Sequence, residues 1–190
     1  MAYCILIFGS SAVGKTTICR KLFRILGERN FYAAIQGDFF AHMIYGCVYT
    51  PDQLILKYRN ISVVFQNIIA CGYSVIFDDF VRRQEDADLI RRIALDSGTK
   101  LIPIRLSAST EILQKRNRAR DYWDWIDDEK VKIYPSVADA VSFPGEFLID
   151  TTSLTVEQTL QSIVDYLQTR GVYNPAGVTV VSKSFTPLKS

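Results

Sequence analysis

Residues 8–17 read FGSSAVGKTT, and this stretch decides the fold. Its spacing is G-x-x-x-x-G-K-T, with glycines at Gly9 and Gly14 followed by Lys15 and Thr16. An apolar run, YCILIF at residues 3–8, precedes the stretch, and apolar residues at helical spacing follow it. A strand, a glycine loop and a helix are therefore predicted in that order, which is the setting of a phosphate-binding P-loop.

Each position of this P-loop has a predicted role, although a glycine-rich turn with a chance lysine is the alternative. The glycines allow backbone conformations closed to other residues, so that successive N–H groups point at phosphate oxygens. The helix N-terminus adds partial positive charge. Lys15 is expected to reach the β- and γ-phosphates, and Thr16 to offer its hydroxyl to Mg²⁺. The predicted phosphate-binding residues are Gly9, Ser10, Ser11, Ala12, Val13, Gly14, Lys15, Thr16 and Thr17.

The P-loop alone does not separate GTPases, ATPase motors and kinases. A GTPase should carry an N-K-x-D sequence that reads guanine, and the nearest string, RNRARD at residues 116–121, does not match it. A motor usually needs a longer chain than these 190 residues. A compact kinase that uses ATP fits the length best.

Composition narrows the class of protein. The chain has 48% hydrophobic residues, 22 basic and 20 acidic residues and a net charge of +2, so neither a nucleic-acid coat nor a membrane-surface protein is expected. No apolar run reaches the roughly 18 residues that span a bilayer. The start lacks the basic region of a signal peptide, and the four cysteines lack C-x-x-C spacing. We therefore expect a cytoplasmic protein whose cysteines fill the core.

Short apolar runs alternate with helical stretches along the chain. Strands are predicted at residues 3–8, 31–36, 73–77, 100–106 and 146–152. Helices are predicted after the P-loop, near 38–45, and over about 51–71, 84–97, 107–120 and 155–170. This alternation predicts parallel βαβ units in a three-layer α/β sandwich. Pro103 indicates an edge or a bulge in the fourth strand, because proline cannot donate to a ladder.

The domain is predicted to cover residues 1–170, with a C-terminal extension at 171–190. The extension contains AGVTVVSKSF, which fits an added strand, a partner-binding arm or a loose tail. These three alternatives stay open.

Three carboxylates follow predicted strands directly. Asp38 comes after the second strand in AAIQGDFF, and Asp78 and Asp79 come after the third in SVIFDDF. Ligands of doubly wound sheets lie outside the carboxyl ends of the strands, so all three face the P-loop side. Asp78 is predicted to bind Mg²⁺, Asp38 to act as general base, and Asp38 and Asp79 to contact the substrate. Helix N-capping is the alternative for Asp38 and Asp79, although Gly37 indicates a close approach to the backbone there.

Three further side chains are candidates for binding the phosphate acceptor. His42, the only histidine, lies one helical turn after Asp38. It is expected to bind the acceptor or tune Asp38, or to be an ordinary partly buried histidine. Lys57 and Arg59 lie on the long predicted helix, where they would bind an anionic group or form a solvated face.

A basic cluster, KRNRARDYWDW at residues 115–125, closes the helix after the fourth strand. Arg116 and Arg120 are one helical turn apart, whereas Arg118 points elsewhere. Arginines stabilise the charge that spreads over a transferring phosphoryl group, and a mobile lid can deliver them. We predict a lid near residues 116–130 with Arg116 and Arg120 as catalytic residues. The alternative is a solvated basic face.

Together these motifs resemble the small P-loop kinases, which include gluconate and shikimate kinases, chloramphenicol phosphotransferase and nucleoside monophosphate kinases. The resemblance covers roughly residues 1–170, and GDFFAHM at 37–43 is similar to gluconate-kinase-like ATP-binding proteins. In gluconate kinases the histidine lies three residues after the aspartate, whereas here it lies four after, which argues against gluconate itself.

This resemblance implies the P-loop nucleoside triphosphate hydrolase fold, with a five-stranded parallel sheet in the order 2-3-1-4-5. It also implies a lid after the fourth strand and a loop near residues 150–153 that contacts adenine. Arg116 would then stack on the adenine and contribute to ATP binding.

The sequence therefore predicts an ATP- and Mg²⁺-dependent phosphotransferase that moves the γ-phosphate of ATP to a hydroxyl of a small molecule. Two alternatives remain. One is a nucleotide or polynucleotide-end kinase, and the other is a regulatory ATPase without a small acceptor. The acceptor and the oligomeric state are left open, and no membrane or nucleic-acid partner is expected.

Overall fold

A five-stranded parallel sheet organises the computed structural model, which describes residues 2–27, 31–43, 49–121 and 125–174. The strands are β1 Tyr3–Gly9, β2 Tyr32–Gln36, β3 Ser74–Asp79, β4 Lys100–Ser107 and β5 Phe147–Asp150. The helices are α1 Lys15–Gly27, α2 Gly37–His42, α3 Pro51–Ala70, α4 Gln84–Asp96, α5 Thr110–Arg118, α6 Asp128–Asp139 and α7 Val156–Thr169. The strand order is β2-β3-β1-β4-β5, which confirms the predicted α/β sandwich and its topology.

The central strand β1 explains why the sheet is covered on both faces. It pairs with β3 on one side and β4 on the other, and Ile5, Leu6 and Ile7 are fully buried. Ile5 and Ile7 belong to a core with α1 and α7, whereas Leu6 belongs to a core with α3 and α4. A continuous apolar run is what a strand buried on both faces requires.

The carboxyl ends of the strands carry the polar residues singled out in the sequence. β1 ends at Gly9, where the P-loop begins, and its neighbour β3 ends at Asp79. β2, on the other side of β3, leads directly into α2 and Asp38. Parallel pairing therefore brings the P-loop and both acidic stretches to one edge of the sheet.

Two features of the sheet and its cysteines differ from expectation. β4 is not an edge strand, because it pairs with both β1 and β5. Pro103 is tolerated there because pairing with β5 begins only at Ile104, so that one side of β4 is unpaired at the proline.

Cys4 and Cys19 are buried as expected, whereas Cys71 is exposed and is not core filler. Cys47 lies outside the described residues.

The helices extend the predicted pattern by one element. Thr50 caps α3 and accepts from the Gln53 N–H, with Pro51 in the first turn as predicted. α6 was not predicted from the sequence, because Pro135 lies inside it. No helix in the described part of the chain is both long and apolar enough to cross a membrane.

The chain beyond α7 continues into the packed core. Val172 and Tyr173, which the prediction assigned to the C-terminal extension, are buried, and the Tyr32 hydroxyl donates to the Val172 carbonyl at 3.4 Å. Residues 175–190, with the rest of the predicted extension, lie outside the described part of the chain.

Candidate active site

The P-loop backbone adopts conformations that its sequence was expected to require. Gly9 has φ +141°, and a Cβ atom there would lie 2.1 Å from the Leu106 carbonyl oxygen in β4. Gly14 has φ +104°, which a residue with a side chain rarely adopts. Ala12 also has a positive φ, at +63°. These conformations turn the loop tightly between β1 and α1.

Lys15 lies inside the loop that it is predicted to serve. Its side chain is buried, and the ammonium group donates to the Ser10 carbonyl at 2.9 Å. Burial lowers the pKa of Lys15, whereas the carboxylates of Asp38, Asp78 and Asp79 oppose this shift. These three carboxylates influence Lys15 because the fold brings them and the P-loop to one edge of the sheet. A phosphate group would give this lysine a direct ionic partner.

Thr16 and Asp78 form the pair that was predicted to bind Mg²⁺. The Thr16 hydroxyl donates to Asp78 Oδ2 at 2.7 Å. Burial raises the pKa of Asp78 to about 6, against the opposing effects of Thr16 and Lys15. Its other oxygen, Oδ1, is buried and has no hydrogen-bond partner among the described residues. A buried oxygen of this kind fits a hard cation or its water ligand, so the residues present fit Mg²⁺.

Asp38 lies in the first turn of α2, exposed at the wall of a cleft of about 360 Å³ that also contains Lys15 and Thr16. The N-cap of α2 is Gln36, whose side chain makes no capping bond. Asp38 is therefore not the N-cap, and the capping alternative has no support. Its position at the cleft is compatible with the predicted role as general base.

Asp79 lies behind the cleft wall and is bound on both oxygens. Lys57 donates to Oδ1 at 2.6 Å and Tyr58 donates to Oδ2 at 2.8 Å, and all three side chains are buried. The close approach that Gly37 indicated is made by Asp79 itself, because a Cβ on Gly37 would lie 2.4 Å from Oδ1. Arg83 occupies the N-cap position of helix α4, so Asp79 is not a helix cap either.

The predicted acceptor residues are therefore separated in space. His42 lines the cleft with Asp38, and its Nε2 lies 3.4 Å from the Tyr49 hydroxyl. Lys57 and Asp79 are not among the described residues that line the cleft, and neither is Arg59, which is exposed on α3. Substrate binding by these three remains a prediction that the geometry does not support.

The arginines of the basic cluster occupy different places. Arg116 donates to the Val13 carbonyl at 3.2 Å, to the Thr151 hydroxyl at 2.9 Å and to the Thr151 carbonyl at 2.8 Å. It thereby connects the P-loop to the segment after β5. Arg120 lines the cleft and lies near enough to Lys15 to lower the lysine pKa further.

The segment between α5 and α6 is the predicted lid. Arg118 pairs with Asp128 at 2.9 Å and is not among the described residues that line the cleft. The buried Asn117 amide donates to the Ile126 carbonyl at 2.6 Å and accepts from its N–H at 3.2 Å. Residues 122–124 lie outside the described part, but the segment on either side is thus anchored to α5.

The cleft contains side chains that were not selected from the sequence. They include Phe80, Arg82, Lys130 and Tyr134. Phe80 and Arg82 lie soon after the third predicted strand, and this position is a signal that could have found them. Lys130 and Tyr134 lie on α6 and were missed together with that helix.

A second cavity of about 280 Å³ lies on the other side of the P-loop. Arg116 and Thr151 form part of its wall, and Leu154 and Val156 add apolar surface. Arg120 and several P-loop residues border both cavities. The P-loop thus separates a polar cleft from a more apolar one.

Comparison with known proteins places the sequence in a family. A family model described as an AAA domain matches residues 5–133. The chain belongs to this AAA-domain family. No curated protein sequence matches this AAA-domain chain.

Solved structures resemble the AAA-domain chain over nearly all of their length. A sugar kinase from Janibacter sp. HTCC2649 has a TM-score of 0.68 and 18% identity, covering 88% of this chain and 95% of that one. A gluconokinase from Sinorhizobium meliloti 1021 has a TM-score of 0.63 and 16% identity, covering 88% and 97%. The Mycobacterium tuberculosis APS kinase, in complex with AMPPNP and APS, has a TM-score of 0.66 and 16% identity, covering 88% and 98%. At these identities the likeness shows a shared fold.

Proposed function

We propose that this chain transfers the γ-phosphate of ATP to a hydroxyl group of a small molecule. One observation supports this more than any other. The cleft that contains the P-loop lysine and Thr16 also contains the exposed carboxylate Asp38. A phosphate donor and a proton acceptor are thus available to one substrate in one cavity.

The two cavities suggest how ATP lies. The phosphates would occupy the P-loop, where the side chain of Lys15 is buried and the backbone N–H groups of the loop would face the phosphate oxygens. The adenosine would occupy the more apolar cavity beside Arg116 and Thr151, and the acceptor would occupy the cleft beside Asp38. A cleft of about 360 Å³ matches a small molecule better than a polynucleotide end.

In the proposed reaction, Asp38 takes the proton of the acceptor hydroxyl as its oxygen attacks the γ-phosphorus. The bond from the γ-phosphorus to the β–γ bridging oxygen breaks, and ADP leaves. Lys15 and Arg120 neutralise the charge on the phosphate oxygens during transfer. Mg²⁺, which Thr16 and Asp78 would hold, supplies further positive charge next to the phosphates when it is bound.

A panel of small hydroxyl compounds tests this function. Sugars, nucleosides and aminoglycoside-like alcohols are each added with Mg²⁺ and ATP, and ADP release and the phosphorylated product are measured. We expect at least one compound to raise ADP release and to gain a phosphate. Turnover that no small hydroxyl compound changes, but that a protein partner stimulates, would instead favour the regulatory ATPase.

A further inference from the structure

Arg82 is held in the cleft by aromatic rings. Its guanidinium carbon lies 4.2 Å from the ring centre of Tyr49, 4.3 Å from that of Phe80 and 5.2 Å from that of Tyr134. The rings come from three places: the residue before the Thr50 cap of α3, the end of β3, and α6. The guanidinium is therefore fixed by packing on aromatic faces.

Arg82 has no hydrogen-bond or ion-pair partner within the described ranges of the chain. Two other arginines differ in this respect. Arg83 pairs with Asp86 at 2.6 Å, and Arg105 pairs with Glu146 at 2.8 Å. An arginine carries five N–H donors in a planar fork, which suits an oxyanion. Arg82 is thus a half-buried cation whose donors are available at a cavity wall.

The position of Arg82 relates it to the proposed reaction. The ring of Phe80 contacts both Arg82 and Lys15, whose ammonium nitrogen lies 5.7 Å from the ring centre. Arg82 is therefore next to the phosphate-binding lysine, in the same cleft as Asp38. A molecule whose hydroxyl lies at Asp38 has Arg82 within the same cavity.

The charges of the cleft are unequal. Among the residues that the structure describes, its walls carry the basic side chains Lys15, Arg82, Arg120 and Lys130 and the carboxylate of Asp38. Lys15 and Arg120 are assigned to the phosphates of ATP in the proposed function. Arg82 and Lys130 then remain for the acceptor, and both are cations. A neutral alcohol would leave these charges unpaired beside it.

We propose that Arg82 binds an oxyanion group of the acceptor, a carboxylate or a phosphate, and that the substrate class is an anionic hydroxy compound. That the bound anion belongs to the phosphate acceptor rests on the proposed function. The anion site itself does not depend on it. Arg82 recognises the acceptor through its charge and its paired N–H donors. Asp38 and Lys15 act at the hydroxyl group that receives the phosphate.

Sulfate tests the anion site without any turnover. Wild type, Arg82→Gln and Arg92→Gln are compared, the last being an equal charge change at an exposed arginine of α4 that does not line the cleft. Each protein is first saturated with Mg²⁺ and a non-hydrolysable ATP analogue, so that the P-loop is filled. Sulfate is then titrated against chloride at constant ionic strength, and the melting temperature is followed.

We expect sulfate to stabilise wild type and Arg92→Gln, with affinity for Arg82→Gln weaker by about 10-fold or more, since charged hydrogen bonds are lost. Arg82→Lys keeps the charge but loses the planar fork, so it should fall between the two. Equal responses in all variants, or no response in wild type, would overturn the anion site. The melting temperature without sulfate shows whether each variant is folded.

Matched acceptors test the substrate class. Glycerate is compared with glycerol, and gluconate with glucitol, because each pair shares hydroxyl groups and differs in a carboxylate. We expect a higher kcat/KM for the anionic member, and Arg82→Gln should remove this preference by raising KM. Equal or better turnover of the neutral members would overturn the inference and leave the phosphotransfer intact. A sulfate effect at Arg82 with no turnover of any hydroxyl compound would uphold the anion site and contradict the phosphotransfer.

Discussion

Asp78 occupies a position that disfavours its own negative charge. It is only 4% exposed, and burial raises its pKa to about 6 from an ordinary value of 3.8. One oxygen accepts from Thr16, and the other is without a partner in the described structure. Such a residue is suited to a cation, and it should lower stability when no cation is present.

We predict that Asp78→Asn stabilises the magnesium-free protein at pH 7 by about 2–3 kcal/mol. The folded protein binds the Asp78 proton more tightly than the unfolded chain does. The free energy of unfolding contributed by this group therefore falls as pH rises from about 4 to about 6, and stays low above that. Asn keeps the shape and can still accept from Thr16.

Urea denaturation without Mg²⁺, at pH 5 and pH 7, measures this difference. The stabilisation by Asp78→Asn should be larger at pH 7 than at pH 5. A variant that is less stable than wild type at pH 7 would mean that the carboxylate is already satisfied by the protein.

At the scale of elements, the turn at the end of α5 separates two arginines that look alike in the sequence. Arg116 connects the P-loop carbonyl of Val13 to Thr151, whereas Arg120 lines the cleft near Lys15. In the proposed function the first shapes the ATP site and the second acts on the phosphates. Their substitution should therefore affect different kinetic constants.

We predict that Arg120→Ala lowers kcat by about 10²- to 10³-fold with a small effect on KM for ATP, because charge at the phosphates grows in the transition state. Arg116→Ala should mainly raise KM for ATP, since it removes three hydrogen bonds at the wall of the ATP cavity. Steady-state kinetics with the acceptor from the panel separates the two. Identical effects of both substitutions would contradict this division.

The link between α3 and β3 is a buried ion pair. Lys57 and Asp79 lie 2.6 Å apart with both side chains at most 2% exposed, and Gly37 at the start of α2 packs on the carboxylate. Lys57→Met would leave the charge of Asp79 buried with Tyr58 as its remaining partner. The pair thus supports the segment that carries Asp38.

We predict that Lys57→Met lowers the free energy of unfolding by about 3–5 kcal/mol, and that adding Asp79→Asn recovers part of this loss. Urea denaturation of both variants measures it. A loss below about 1 kcal/mol would show that the ion pair is not needed to hold the two elements together.

At the scale of the whole molecule, the sequence predicted what depends on local patterns. The apolar runs gave the strands, and the P-loop motif fixed where β1 and α1 meet. Gly37 correctly indicated a close contact, but the sequence could not show that Asp79 makes it. The Lys57–Asp79 pair joins residues 22 positions apart, and no local pattern records that pairing.

The residues that line the cleft were predicted only where a local sequence pattern selects them. Lys15 and Thr16 were selected from the P-loop motif, and Asp38 was selected because it follows a strand that ends at the same edge of the sheet as the P-loop. Tyr134 and Lys130 were missed because a proline lies inside α6 and hides its helical character. Arg82 lies soon after the end of β3, but its importance depends on three rings, of which Tyr49 and Tyr134 come from distant segments.

The central claim is that Asp38 accepts the proton of the acceptor hydroxyl. Asp38→Asn keeps the shape of the side chain and removes its basicity. Asp52→Asn is the matched control, because Asp52 is also exposed in the first turn of a helix but does not line the cleft. Both variants should bind Mg²⁺ and ATP as wild type does, which melting with and without the nucleotide checks.

Single-turnover phosphoryl transfer from ATP to the acceptor found by the panel is the most direct test. The account predicts transfer about 10² to 10⁴ times slower in Asp38→Asn, with normal transfer in Asp52→Asn. Full transfer activity in a folded, nucleotide-binding Asp38→Asn would contradict it, and the proton would then have to pass to another group.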